Sequence, residues 1–345
     1  MPADVTGTNI IVRDEKGNFL GLSSFNPLYR ADGTPDEERC KPICRPDQLA
    51  EVLSTIDVAG QITAEAAVET GLAAGTPVIV GTDDSGAEAI SAGVLEPGDM
   101  MLQIGSSVYM FLCTDRLVND DRVWREEFII PGTFDISAGT NTAGTLTRWY
   151  RDQLFPDVVQ EAEKTGKNAY ELMMRGVADV PPGSGGLVTL PYFAGERTPI
   201  NDPMAKGAIF GLTLDHTRAH LYRSALESVG FAINQHFKIF REHQVPMRKI
   251  MATGGGTKNP LWLQMIADIT GETIRTPENT IGASFGDAMM AAMGIHYFSS
   301  YGELGAVVEE GPSYSPDSDK HRIYQKYQSV FDALYPQTKD LAHRL

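Results

Sequence analysis

Apolar positions along the chain recur in two rhythms, and the points where one gives way to the other carry most of the information. Residues 249–252 form a short apolar run that stops at Gly254, Gly255 and Gly256. Leu261, Leu263, Met265, Ile266 and Ile269 then fall on one side of a helix. This change of period predicts a strand, a tight turn and a helix N-terminus. Residues 77–80 repeat the pattern as a short buried strand stopped by Gly81, and the small residues of 87–92 predict the helix that follows. Two apolar runs, 101–104 and 108–113, flank Gly105-Ser106-Ser107 and predict a β-hairpin. A long helix is predicted over 217–240 from Leu221, Ala225, Val229 and Ile233. Thr63 is the expected N-cap of a helix over 64–70, which Gly71 and Gly75 end. The Gly- and Thr-rich stretch 134–144 leads into a helix carrying Leu146, Trp149 and Tyr150. Further strands are expected at 187–190 and 273–275, and further helices at 170–177, 283–293 and 325–334. Residues 1–48, with Pro27, Pro35, Pro42 and Pro46, read as irregular. Strands and helices alternate, so the fold class is α/β.

Composition narrows the setting. The chain has 345 residues, long enough for two domains, and a formal net charge of −16. So acidic a surface argues against nucleic acid or an anionic membrane as a partner. No apolar run approaches the length of a bilayer span. Cys40, Cys44 and Cys113 lack a second Cys/His pair at zinc spacing and read as free thiols, which points to a reducing, cytoplasmic setting. Any phosphate must then be met by backbone N–H groups and a metal.

The candidate chemistry sits at the glycine junctions. Gly254 to Gly256 at a helix start suit an anion, because free N–H groups and the helix dipole point there. The spacing is neither the dinucleotide fingerprint nor a Walker A loop: Lys258 is not followed by Ser or Thr. A purely structural glycine turn explains this stretch alone about equally well. Asp83 and Asp84 lie where a strand yields to a helix. One can cap the helix, leaving the other to take a proton from a hydroxyl or to hold Mg2+. Gly105, Ser106 and Ser107, and likewise 139–144, read either as turns or as phosphate loops. Glu196 and Arg197 read as a local ion pair. His216 and His220 are four apart without the glutamate of a zinc helix, and Trp262 reads as core.

Taken together these stretches resemble the FGGY family of carbohydrate kinases, whose members share the actin-like ATPase, ribonuclease-H-like fold. The resemblance rests on GQITAEAAVETGLAAGTPVIVGTDDSGAEAISAG, MLQIGSSVYMFL, SAGTNTAGTLTRWYRD, LPYFAGERTPINDPMAKGAIFGL, RAHLYRSALESVGF, GGGTKNPLWLQMIAD and GASFGDAMMAAMG, in order over nearly the whole chain. LPYFAGERTPINDP is most similar to the xylulose-kinase-like members. The resemblance implies ATP and Mg2+ as cofactors and a sugar or polyol as substrate. It makes Asp84 the general base, with Ser85 beside it at the sugar. Gly105, Ser106, Ser107 and Gly144 would meet the phosphates. Gly255 and Asn259 would hold the adenosine side, with Gly254 and Gly256 shaping the turn, and the Glu196-Arg197 motif would be mainly structural.

The family's opening Asp-x-Gly-Thr strand has no counterpart here; Gly7-Thr8 lacks that spacing. By position, residues 1–93 correspond to the C-terminal portion of the sugar-binding lobe and 94–345 to the ATP-binding lobe. The expectation is a partial kinase with little activity alone, acting as a homodimer or with a separate chain that supplies the N-terminal segment. The alternative is a non-catalytic nucleotide-binding or interaction remnant.

Overall fold

Along residues 100–112 the even-numbered side chains and the odd-numbered ones enter different cores. Met100, Leu102, Ile104, Val108, Met110 and Leu112 belong to one cluster. Met101, Phe111 and Cys113 belong to another. A strand pair that is apolar on both faces must be covered on both, and it lies at the centre of a seven-stranded sheet. In chain order its strands are β1 (Asp99–Ile104), β2 (Val108–Thr114), β3 (Trp124–Glu127), β4 (Phe134–Thr140), β5 (Lys249–Thr253), β6 (Ile274–Pro277) and β7 (Glu310–Tyr314). The spatial order is β7-β6-β5-β1-β2-β4-β3. β5 runs parallel to β1 and to β6, and the other pairs are antiparallel. The computed structural model describes residues 5–6, 9–13, 19–23, 34–42, 44–49, 53–279 and 281–345. Gly7-Thr8 and the 14–18 turn lie outside them.

Helices α1 (Asp84–Ser91), α2 (Gly144–Leu154), α3 (Arg218–Glu242), α4 (Pro260–Thr270), α5 (Ala283–Gly294) and α6 (Ser318–Ala342) complete the layers. α3 and α4 cover one face of the sheet through Leu226, Val229, Ile233, Leu263 and Ile266. α1 and α5 cover the other through Ile90, Met289 and Met293. These two helices cross at backbone distance: a Cβ on Gly286 would lie 1.8 Å from the carbonyl oxygen of Ala87. This helix–sheet–helix sandwich is the expected α/β arrangement. α6 joins the far side of α3 through Tyr324, Phe331 and Leu334, which pack with Val188, Leu190 and Phe231. Buried Glu227 fastens that junction. It accepts from Arg223 Nε at 2.8 Å, Ser184 Oγ at 2.8 Å, Tyr324 Oη at 2.8 Å and the Gly183 amide at 3.1 Å.

Several expectations change. The N-terminal stretch is not wholly irregular: Val5–Thr6, Asn9–Arg13 and Phe19–Ser23 form an antiparallel three-stranded sheet. The strand near 77–80 exists as Pro77–Ile79, but among the described residues it pairs only with Val58–Gln61 and is largely exposed; only Ile79 turns toward α5, at Gly294. The Thr63 cap and the left-handed Gly71 terminus occur as expected. The stretch 134–140, read only as Gly- and Thr-rich, is strand β4. The last helix runs well past the predicted 325–334 and through Pro336. Interior proline costs about 3 kcal/mol or more in a free helix. Burial of Phe331, Leu334 and Tyr335 ahead of the break, and the 2.6 Å bond of His343 to Asp202 beyond it, hold the helix together. Pro336→Ala, which restores an amide for the Asp332 carbonyl, should raise the thermal midpoint in differential scanning calorimetry.

Candidate active site

One end of the sheet gathers the glycine junctions. β1 ends at Ile104, β4 at Thr140 and β5 at Thr253, and register brings these ends together: Thr253 pairs with Gln103, Ile104 with Val108, and Val108 with Thr140. The loop Gly105-Ser106-Ser107 therefore sits between the loops that follow β4 and β5. Its carbonyls cap α2. Gly105 O accepts from the Gly144 amide at 2.9 Å, and Ser106 O accepts from the amides of Ala143 at 2.9 Å and Thr145 at 3.0 Å. Ala143, the residue before α2, offers no capping side chain, so the hairpin supplies the cap. The first amides of α2 are thus spent. The amides and hydroxyls of Ser106 and Ser107 have no partner among the described residues and remain open to an anion.

The glycines divide into two kinds. A Cβ on Gly144 would meet Gly105 O at 2.6 Å, and one on Gly254 would meet Ile104 O at 2.7 Å. One on Gly256 would strike the Ile104 side chain at 2.3 Å. These three glycines let the loops after β4 and β5 close on Ile104-Gly105. Gly254 also holds a φ of +84°, which other residues adopt only with strain. Gly255 is different: nothing lies within 4 Å of its absent Cβ, so it faces open space. Asn259 is the N-cap of α4, accepting from the Trp262 amide at 3.2 Å, while its amide nitrogen lies 3.4 Å from Met174 Sδ. Trp262 is core, and its indole N–H donates to Leu226 O at 3.0 Å.

The two aspartates have different employment. Asp83 is the N-cap of α1, its carboxylate accepting from the Gly86 amide at 2.8 Å. Asp84, the first helical residue, is exposed and has no bonded partner among the described residues. One turn further, Glu88 bonds to Gln103 on β1 and lies 3.5 Å from the Thr253 hydroxyl on β5. A turn of helix is about 5.4 Å, so Asp84 stands close to the strand ends that carry the Ser and Gly loops. Ser85 is half-buried and points into a pocket between α1 and the sheet, lined also by Asp83, Tyr109, Glu126 and Asp135. Those last three come from separate strands, and nothing in their local sequence marks them. No group of three or more His, Cys, Asp or Glu among the described residues has metal-binding geometry. The exposed carboxylate of Asp84 does fit Mg2+ that arrives with phosphates, which asks one or two carboxylates of the protein.

Glu196 does not pair with the Arg197 side chain as expected. Its Oε1 accepts from the amides of Arg197 at 2.7 Å and Asn141 at 2.8 Å, tying the loop after β4 to the 191–202 segment. Burial pushes its carboxyl up to about 7. The neutral form therefore favours the fold. Its contribution is complete below about pH 4.5 and is lost as pH rises through about 7, for a total of about 3 kcal/mol. Replacing Glu196 with Gln should remove that loss, so stability relative to the wild type rises between pH 4.5 and 7 in urea titrations. His216 and His220 serve local turns, bonding to Thr213 and Thr217.

Residues 100–295 match the FGGY family of carbohydrate kinases, C-terminal domain. The chain is 31% identical over 306 residues to a xylulose kinase of Bacillus subtilis, covering 87% of this chain and 58% of that one. It is 26% identical over 314 residues to a gluconokinase of the same species, covering 90% and 61%. Among solved structures, a xylulose kinase from Rhodospirillum rubrum superposes with a TM-score of 0.79 at 31% identity, covering 91% of this chain and 62% of that one. The chain belongs to the FGGY family of carbohydrate kinases, with the actin-like, ribonuclease-H-like α/β fold of that family. It spans about 53–62% of the length of the relatives it matches.

Proposed function

We propose that this chain provides the nucleotide site and the general base of a carbohydrate kinase that transfers the γ-phosphoryl group of ATP to a hydroxyl of a sugar or polyol. The observation that carries the reading is the division of labour between Asp83 and Asp84: the first is consumed in capping α1, and the second is exposed one helical turn before Glu88, which bonds Gln103 near the end of β1. Asp84 takes the proton leaving the acceptor hydroxyl. The amides and hydroxyls of Ser106 and Ser107 face the charge on the transferring group, and Gly255 leaves room for the nucleotide against the main chain. Mg2+ carried by the triphosphate would supply further charge neutralisation, with Asp84 as the carboxylate within its reach. The xylulose kinases among the relatives favour a ketose as acceptor, and the free cysteines suit the cytoplasm. Residues 1–93 would then belong to the sugar-binding lobe and 94–345 to the ATP-binding lobe.

Calorimetric titration of ATP, with and without Mg2+, tests the reading. The chain should bind ATP, and Gly255→Val should weaken binding at least tenfold without lowering the thermal midpoint, because that side chain projects into open space. Absence of ATP binding by the unaltered chain would overturn the nucleotide assignment.

A further inference from the structure

Helix α1 carries the candidate base, yet its apolar contacts do little to fix where it lies. Its buried side is Gly86, Ala87, Ala89 and Ile90. Ala89 and Ile90 share a core with Met101 on β1, Met251 on β5, and Met289 and Met293 on α5. Methionine is unbranched and adaptable, so a helix seated among such side chains can turn or slide at little cost. Directional bonds must then set its place. Among the described residues, the side-chain hydrogen bonds from α1 to the sheet are those of Glu88. Its Oε2 accepts from Gln103 Nε2, and its Oε1 lies 3.5 Å from the Thr253 hydroxyl. Gln103 and Thr253 are registered partners on β1 and β5. Gln103 is separated from Gly105 by Ile104 alone, and Thr253 immediately precedes Gly254. A single carboxylate thus joins three segments, at the points where two strands run out into the Ser106 loop and the glycine turn.

Asp84 precedes Glu88 by four positions, and side chains at that spacing lie on one face of a helix. The rotation of α1 that Glu88 fixes is therefore also the rotation that aims Asp84. We propose that Glu88 is a positioning residue: it clamps α1 to the ends of β1 and β5, and so holds the Asp84 carboxylate in register with the loops that would receive the phosphates. In this role Glu88 touches no reacting atom and moves no proton; it acts through the placement of Asp84. The inference rests on the kinase reading above and adds the residue that aligns its two halves, the base and the nucleotide loops.

The test uses two readouts on the full chain: amide hydrogen exchange of α1 without ligand, and ADP release from Mg-ATP with D-xylulose as the probe acceptor. Alanine is the better helix former, so without a clamp Glu88→Ala would leave exchange in α1 unchanged or slow it. With the clamp, Glu88→Ala should speed that exchange by about tenfold or more. It should also lower kcat by about tenfold or more, because a slightly misplaced reacting group is costly, while the KM for ATP moves by less than about twofold. Glu88→Gln, which keeps an oxygen for the Gln103 amide, should recover most of both effects. Gln103→Met, which keeps length and removes the donor, should reproduce the alanine result, and the double variant should be no worse than either single one. Unchanged or slower α1 exchange in Glu88→Ala overturns the inference, as does a fall in kcat that Glu88→Gln does not relieve. Faster exchange in a chain that releases no ADP would leave the clamp standing and sink the kinase reading. Turnover abolished by Asp84→Asn but untouched by Glu88→Ala would do the reverse.

Discussion

Replacing Asp84 by Asn should lower phosphoryl transfer by about 10²–10⁴-fold, the range that removal of a positioned general base produces, while ATP binding is retained. The substitution keeps size and polarity and removes only the ability to hold the proton. It leaves the helix cap alone, because that duty belongs to Asp83. Asp83→Asn is the matched control: asparagine caps a helix about as well as aspartate, so α1 keeps its start and Asp84 its position. A coupled ADP-release assay on both variants separates the roles. A large loss at Asp83 with none at Asp84 would reassign the base. Turnover indifferent to both would favour a nucleotide-binding remnant of a kinase over an enzyme.

Glu227→Ala should destabilise the fold by about 3–5 kcal/mol, the usual cost of removing one partner of a buried ion pair. Arg223 is 5% exposed and its Nε donates to Glu227. Its remaining bonds, to Val177 O at 3.0 Å and Tyr324 Oη at 3.0 Å, are to neutral groups and cannot balance its charge. Three further donors, on Gly183, Ser184 and Tyr324, lose their common acceptor at the same time. Denaturant unfolding should show the full effect, with a smaller loss for Glu227→Gln, which keeps an acceptor but not the charge. A loss below about 1 kcal/mol, the worth of a single ordinary hydrogen bond, would mean that α6 is held by its apolar contacts alone.

The junctions that organise this molecule were legible because their physics is local. The apolar run 249–252 and its glycines announce β5 and the turn, and the stripe on 217–240 announces α3. Where reading failed, the cause lay in contacts between distant segments. β4 reads FDISAGT, where Asp, Ala and Gly dilute the strand formers Phe, Ile and Thr; it forms because β2 on one side and β3 on the other supply its ladder. Pro336 marks a local stop that the core beneath α6 overrides. The candidate base could be chosen from two adjacent aspartates only by family likeness; that Asp83 is the one that caps α1 was not legible in the sequence. Tyr109, Glu126 and Asp135 become neighbours through strand register alone, so no motif contains them.

The closure of two segments on Ile104-Gly105 has a consequence for how the protein folds. Gly144 and the turn that holds Gly254 and Gly256 meet that dipeptide from stretches far apart along the chain. Each such meeting carries a loop-closure cost before any contact rewards it. The crossing of the three loops therefore forms late and together, after β1, β2, β4 and β5 have aligned, and topology of this kind slows folding. A collapsed intermediate with correct helices would lack the proposed nucleotide site altogether. On that proposal ATP selects the native state, so it should raise the unfolding midpoint in proportion to the logarithm of its concentration and leave the early refolding phase untouched.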